Sequence, residues 1–176
     1  CGGCALQDME YQSQLAWKTG WMKRKFPGIE VRNTLGMDVP YYYRNKAQFP
    51  VQVTGEGEVI TGFYRPNSHT IVDTDTCLIQ DERLNELYQY IRKELTPDLA
   101  RGLRHLFLRR SRKTGQCQVV FIGEENRYDR LTEKLAREFP DLVSVVFNRN
   151  VRNDNVILGD EFRVLHGSES IEEDCL

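Results

Sequence analysis

Several things are missing from this sequence, and each absence removes a class of protein. No apolar run approaches the ~18–20 residues a membrane-crossing helix needs, and no basic-then-apolar segment opens the chain, so a soluble protein without a leader is expected. No G-x-G-x-x-G turn links a strand to a helix, which leaves the usual dinucleotide signal out of these residues. Neither sign of charge dominates: 24 Lys and Arg stand against 26 Asp and Glu, for a net charge of −2 and a pI of about 6.0. Total charge therefore does not point to nucleic acid, and its distribution must be read instead. Cysteine is too sparse for a disulfide framework, with five thiols, an odd number, at Cys1, Cys4, Cys77, Cys117 and Cys175. A reducing, cytoplasmic compartment is expected, where a close cysteine pair is more often a metal ligand or a redox motif than a disulfide.

What remains is ordinary for one globular unit, with 40% hydrophobic and 28% charged residues and no repeat or low-complexity linker. Apolar Leu6, Met9, Ala16, Trp17 and Trp21 recur at roughly helical spacing and predict a helix from Leu6 to about Phe26, closed by Pro27-Gly28. Tyr41 to Val53 and Val59 to Tyr64 read as a hairpin, with Pro50 favouring an edge or a bulge. A short run follows at His69 to Val72, then a helix over Asp81 to Glu94. Thr96-Pro97-Asp98 combines a cap, a proline at the first helical position and an early acid, so it starts a short helix ending near Gly102. Leu106 to Arg110 and Gln118 to Ile122 form a second hairpin around Gly115. Tyr128 to Phe139 is an amphipathic helix stopped by Pro140, and Val143 to Phe147 a strand. Asn155 to Leu158 and Glu161 to Leu165 read as a third hairpin about Gly159-Asp160. Together these predict an α+β domain: a mostly antiparallel sheet built from hairpins, with helices packed on it.

The chemistry concentrates first in Cys1-Gly2-Gly3-Cys4, two thiols with glycines between them that let the backbone wrap a shared ligand. Zinc, an iron-sulfur cluster and a thioredoxin-like redox pair all use such spacing. The redox reading lacks the preceding strand that motif requires, and a zinc ribbon lacks its second cysteine pair, since Cys77 stands alone. The bland alternative is a set of unliganded thiols with Cys77 buried as a small hydrophobe.

The segment Cys1-Gly2-Gly3-Cys4-Ala5-Leu6-Gln7 resembles the CGGC-x-LQ motif of the RNA (uracil-5-)-methyltransferase family, which includes the bacterial 23S rRNA 5-methyluridine methyltransferases. Further matches follow in order. Tyr43-Arg44-Asn45-Lys46 resembles the family's YRNK segment, and Gly62-Phe63-Tyr64 with Ser68-His69-Thr70-Ile71-Val72-Asp73 its GFY and SH-x-IVD block. Leu103-Arg104-His105-Leu106 resembles LRHL, and Asn155-Val156-Ile157-Leu158-Gly159 the NVILG segment. One such tetrapeptide would mean little, but five in order span nearly the whole chain. The resemblance implies a [4Fe-4S] cluster held by four cysteines, of which Cys1, Cys4 and Cys77 are the three present here and one lies upstream. It also implies that the chemistry is done in a C-terminal Rossmann-like domain, where a cysteine attacks uracil C6 and S-adenosylmethionine methylates C5. We therefore expect no catalytic and no cofactor-binding residue in this chain. Cys117 matches no ligand position and reads as a structural thiol, Cys175 as a tail residue.

Charge distribution bears on RNA independently. No acid occurs between Asp98 and Glu124, a stretch that holds Arg101, Arg104, Arg109, Arg110, Arg112 and Lys113. A second acid-free stretch, Val39 to Gly55, sets Arg44 and Lys46 beside Tyr41, Tyr42, Tyr43 and Phe49, a mixture suited to phosphate contact and base stacking. The plain alternative is the wet face of a sheet. Adding the family match, the expected RNA contacts are Arg44, Lys46, Phe63, His69, Arg104, Arg109 and Arg110. The acidic end, with Glu169, Glu172, Glu173 and Asp174, reads as solvated surface or linker. His69 and His105 lie near no nucleophile signature, and a general-base role is not assigned to them.

The expectation is a central domain of a multidomain, cytoplasmic and monomeric RNA methyltransferase acting on RNA, with residues 1–165 carrying the cluster and the RNA surface. Residues 166–176 would begin the connection to a separate catalytic domain. The chain starts without Met on a cysteine motif and ends without a stop signal, which fits an internal segment, inactive by itself. A competing reading is a non-catalytic metal- or cluster-containing RNA-binding module. An electron-transfer iron-sulfur protein is disfavoured, because closely spaced ferredoxin-type cysteines are missing.

Overall fold

Leu106-Phe107-Leu108-Arg109 and Gln118-Val119-Val120-Phe121 are mostly apolar, rich in branched and aromatic side chains, and a strand sends successive ones to opposite faces, so both faces carry apolar residues. In the computed structural model, which describes residues 1–173, these strands lie inside one seven-stranded sheet. In chain order the elements are α1 (Tyr11–Lys25), β1 (Lys46–Val53), β2 (Val59–Tyr64), β3 (Ile71–Asp73), α2 (Glu82–Glu94), α3 (Pro97–Ala100), β4 (Leu103–Arg110), β5 (Cys117–Gly123), α4 (Asp129–Glu138), β6 (Leu142–Arg149) and β7 (Glu161–Gly167). The sheet order is β3-β2-β1-β4-β5-β6-β7. Every neighbouring pair is antiparallel except β5 and β6, which α4 connects as a parallel crossover. The mostly antiparallel α+β architecture is the expected one.

One face of the sheet meets the helices. Phe49, Leu106, Leu108, Val119, Phe121, Val145 and Phe147 pack with Leu84, Leu87, Tyr88 and Ile91 of α2 and Leu131 and Leu135 of α4. Phe49 stacks on Tyr88 with centroids 3.8 Å apart, and Phe121 on Tyr128 at 4.5 Å. α2 and α3 form where expected, α3 with the predicted Thr96 cap and α2 with Asp81 as its cap rather than its first residue. Asp81 accepts the N–H groups of Arg83 and Leu84 at the start of α2, and Thr96 accepts that of Leu99 at the start of α3. Gly115 takes φ +73 in the β4–β5 turn, the left-handed conformation foreseen for it.

Four local expectations are corrected. The first helix begins at Tyr11 rather than Leu6, because Glu10 accepts from Gln12 and Ser13 N–H while residues before it fold in turns, with Gln7 N–H on the Cys4 carbonyl. Its apolar stripe does not enter the core: Trp17 and Trp21 stay exposed, and the one buried residue, Thr19, bonds to Thr34. Residues 41–45 are not part of the first strand, although Arg44 bridges to Gln80. Pro50 is buried inside a strand that has neighbours on both sides. It is tolerated because β1 pairs with β4 up to Pro50 and with β2 from Val51 onward, so no ladder bond is asked of its missing N–H.

The third hairpin does not form. Residues 150–160 are instead a loop between β6 and β7, held by two buried asparagines. Asn148 donates to the Gly159 and Glu161 carbonyls and accepts from Gly159 N–H, while Asn150 donates to the Val156 and Ile157 carbonyls. These side-chain bonds satisfy backbone groups that strand pairing would otherwise take. β7 runs to Gly167, and the residues after it bond back to the sheet: Ser168 N–H donates to Val143, Gln118 to the Glu169 carbonyl, and Asn45 and Ser111 to the Glu173 carboxylate. Glu173 is thus part of the packed surface rather than solvated tail. Asp174 and Cys175 lie outside the described residues. Among the described residues no helix is long and apolar enough to cross a membrane.

Candidate metal centre and nucleic-acid interface

The opening loop closes against the β2–β3 turn through Gly2. Its φ is +86, and a Cβ there would sit 2.8 Å from Pro66 Cγ, so only glycine lets the loop approach this closely. Cys77 arrives from the other end of the β3 connection, which two side chains of α2 pin. Asn85 accepts Cys77 N–H at 3.1 Å and donates to the Cys77 and Gln80 carbonyls at 3.0 and 3.2 Å. Arg92 donates to both oxygens of Asp73 at 2.7 and 2.6 Å and reaches Asp75 at 3.1 Å. That paired guanidinium holds the Asp73 carboxyl below the usual carboxylate range.

As a result Cys1, Cys4 and Cys77 line one cavity of about 270 Å³, together with Phe63, Gln7 and Thr76. All three thiols are free, and none is fully buried. Among the described residues no three His, Cys, Asp or Glu side chains stand close enough to hold a single metal ion. Ligands of a four-iron cluster each bind a different iron, so they stand farther apart than the ligands of one ion. The donor set, three thiols on one concavity, suits soft iron-sulfur chemistry better than it suits a hard cation. Cys117 is a different kind of thiol: it is buried beside Asp141, and burial pushes its pKa up to about 12, which keeps it protonated and inert.

The basic residues separate into distinct places. Lys46 and Arg109 are cross-strand neighbours on the face away from the helices, and Lys46 Nζ lies 5.9 Å over the Phe107 ring. Arg110, one residue on, points to the helix side and pairs with Asp81 at 2.9 Å, where it supports the cap of α2. Strand alternation explains why two adjacent arginines do different work. Arg44 is exposed and lines a larger groove of about 590 Å³ with Cys4, Lys18, Tyr41 and Tyr43. Arg104 and His69 meet in a third cavity, with Tyr64, His105 and residues 153–155. No local pattern joins Tyr64, His105 and the 153–155 loop, because these come from β2, β4 and a connection whose path the two buried asparagines decide.

No protein-family model matches the chain. A protein of Halalkalibacterium halodurans named as an uncharacterized RNA methyltransferase is 40% identical over 190 residues, covering 97% of this chain and 41% of that protein. One of Staphylococcus epidermidis with the same description is 38% identical over 194 residues, covering 98% and 42%. Among solved structures, the tRNA (uracil-54, C5)-methyltransferase of Pyrococcus abyssi, in complex with S-adenosyl-L-homocysteine, superposes with a TM-score of 0.72 at 26% identity. The match covers 99% of this chain and 42% of that one. The chain thus spans about two fifths of the length of the relatives it matches, and over nearly all of its own length it is similar to proteins named RNA methyltransferases.

Proposed function

We propose that the chain is the iron-sulfur and RNA-binding part of an S-adenosylmethionine-dependent RNA (uracil-5-)-methyltransferase that forms 5-methyluridine, with 23S rRNA as its substrate. The observation that carries this reading is the meeting of Cys1, Cys4 and Cys77 in one cavity, although the pair and the single thiol are remote in sequence. A [4Fe-4S] cluster held by these thiols and a fourth ligand would cross-link the opening loop to the segment after β3. Asn85 and Arg92 hold that segment in place, and Phe63 packs beside it at the cavity wall. Arg44, Lys46 and Arg109 contact RNA phosphates, His69 and Arg104 meet the RNA at the third cavity, and Phe63 does so at the wall of the cysteine cavity; Arg110 is engaged by Asp81 and leaves direct contact to Arg109. The sheet through β7, with the residues that bond back to it, forms the working unit, the chain then leads toward the domain that binds the methyl donor, and the protein acts as a cytoplasmic monomer. With no Gly-rich turn for the donor in its sequence, this chain alone transfers no methyl group.

The test is anaerobic reconstitution with ferrous iron, sulfide and dithiothreitol, the last as an exogenous thiolate. Iron and sulfide should be retained in equal amounts with visible absorption. Cys4→Ser and Cys77→Ser should lose the chromophore, and Cys117→Ser should keep it. A chromophore that survives Cys77→Ser, or none in the unaltered chain, sinks the cluster assignment. For RNA, the joint change Arg44→Ala and Lys46→Ala should flatten the slope of log affinity against log salt by about 1.4 if two single-strand phosphate contacts are lost. An unchanged slope rejects that surface.

A further inference from the structure

The cavity at Arg104 and His69 has a volume of about 340 Å³, within the range of pockets that take small molecules, roughly 300–1,000 Å³. None of the cysteines borders it. Tyr64 stands edge-on to two imidazoles, with centroids 5.5 Å from His69 at 77° and 6.4 Å from His105 at 82°. His105 is only 8% exposed, yet its Nδ1 has no hydrogen-bond partner. Arg104 Nη1 is likewise buried and unpartnered, while its Nη2 donates to the Asp154 carbonyl at 3.0 Å. Buried polar atoms are ordinarily paired, so two unpaired ones on one concavity mark a place where another molecule completes the bonding.

The charge balance says what kind of molecule. Arg104 supplies one positive charge. Asp154 supplies a negative one at the rim, where Arg152 holds its carboxylate at 2.9 Å and Val156 N–H donates to it at 2.9 Å. Burial and the adjacent guanidinium push the His105 pKa down to about 4, so at neutral pH its imidazole is uncharged. A free phosphate would find a single cation, Arg104, because Arg152 and the Asp154 carboxylate pair with each other. A neutral planar ring with polar edges finds aromatic walls at Tyr64 and His69, a donor in Arg104, and the side-chain amides of Asn153 and Asn155.

We infer that this cavity receives one unstacked RNA base, one that is held and not methylated. The inference rests on the RNA-binding reading above and deepens it. RNA is read mainly through splayed bases stacked on aromatic rings and bonded along their edges. The unpaired guanidinium N–H asks for an acceptor, so uracil and guanine, which carry a carbonyl oxygen where adenine and cytosine carry an exocyclic amine, fit better than adenine. No thiol lines the cavity, so the cysteine attack on ring C6 that uracil methylation uses has no group to make it there.

The experiment follows the imidazole resonances of His69 and His105 by NMR while the chain is titrated with uridine, guanosine and adenosine 5′-monophosphates, ribose 5-phosphate and inorganic phosphate. A single-stranded RNA oligomer is titrated in parallel. Uridine and guanosine nucleotides should shift both imidazoles, with midpoints at least about threefold below that of the adenosine nucleotide. The phosphate controls should leave them in place. His69 is exposed and its removal spares the core, so His69→Ala should weaken the nucleotide response at least about fivefold, as loss of a stacking ring does. Equal shifts from inorganic phosphate overturn the inference in favour of an anion site. Silence toward every nucleotide while the oligomer still binds overturns it and leaves the RNA-binding surface standing. A nucleotide response from a chain that binds no oligomer overturns both, since the cavity would then serve a free nucleotide.

Discussion

On the helix side of the central strands, Ala47, Phe49, Leu106 and Leu108 are buried against α2 and α4. On the other side of the same two strands the alternate residues are Lys46, Gln48, Phe107 and Arg109. The first set sits in a packed core with stacked aromatic pairs. The second is partly open, and the apolar cluster on it is small: Val120, Ile122 and Val146, with Phe107 and Ile157 against it. The difference teaches where stability and recognition reside. One face of the sheet is closed by helices, which leaves the other to offer charge and rings to a partner, and the 150–160 loop walls one end of that open face.

The strongest way to break this contrast is to cut the same ring from each face. Phe121→Ala on the helix side removes a fully buried ring stacked on Tyr128 and should cost about 3–5 kcal/mol. Phe107→Ala on the opposite face should cost less than half of that. Urea unfolding of both variants checks the pair, and equal losses would erase the distinction.

A smaller effect comes from His105. Its folded pKa of about 4 lies below the ordinary 6.5, so between those values the unfolded chain binds more proton than the folded one. Stability from this group is therefore full above pH 6.5 and is lost as pH falls toward 4, by up to ~3 kcal/mol at 1.36 kcal/mol per pKa unit. The imidazole resonances should titrate near pH 4, and His105→Gln should flatten stability against pH across that window. A midpoint near 6.5 would mean that His105 is open to water.

The smallest expected effect sharpens the contrast most. Arg110→Ala should cost about 1 kcal/mol by freeing Asp81 at the start of α2, whereas Arg109→Ala should change stability by less than ~0.5 kcal/mol. Affinity for RNA should respond in the opposite order, and a filter-binding salt series on the two variants reads it.

Much of this was legible from local chemistry. α2, α3 and α4 and the β4–β5 hairpin stand where caps, periodicity and Gly115 placed them, because those signals act within a few residues. α1 was misjudged at its start because Glu10 caps it with a carboxylate, and its tryptophans obeyed helical spacing without having a core to face. The 155–165 hairpin failed for a different reason. A run of Asn, Val, Ile and Leu resembles a strand, but Asn148 and Asn150, at the end of β6, claim its backbone groups.

The candidate sites divide along the same line. The thiols, the basic stretches and the family motifs are properties of residue identity and spacing, and the sequence alone determined them. Which of these residues share a cavity was decided only by tertiary structure. Cys77 reaches the opening loop because Asn85 and Arg92 bind the turn before α2. Arg109 and Arg110 part company because a strand has two faces. His105 joins His69 and Tyr64 because β2, β1 and β4 pair in a register that sums contacts over segments far apart in the chain, which no local pattern encodes.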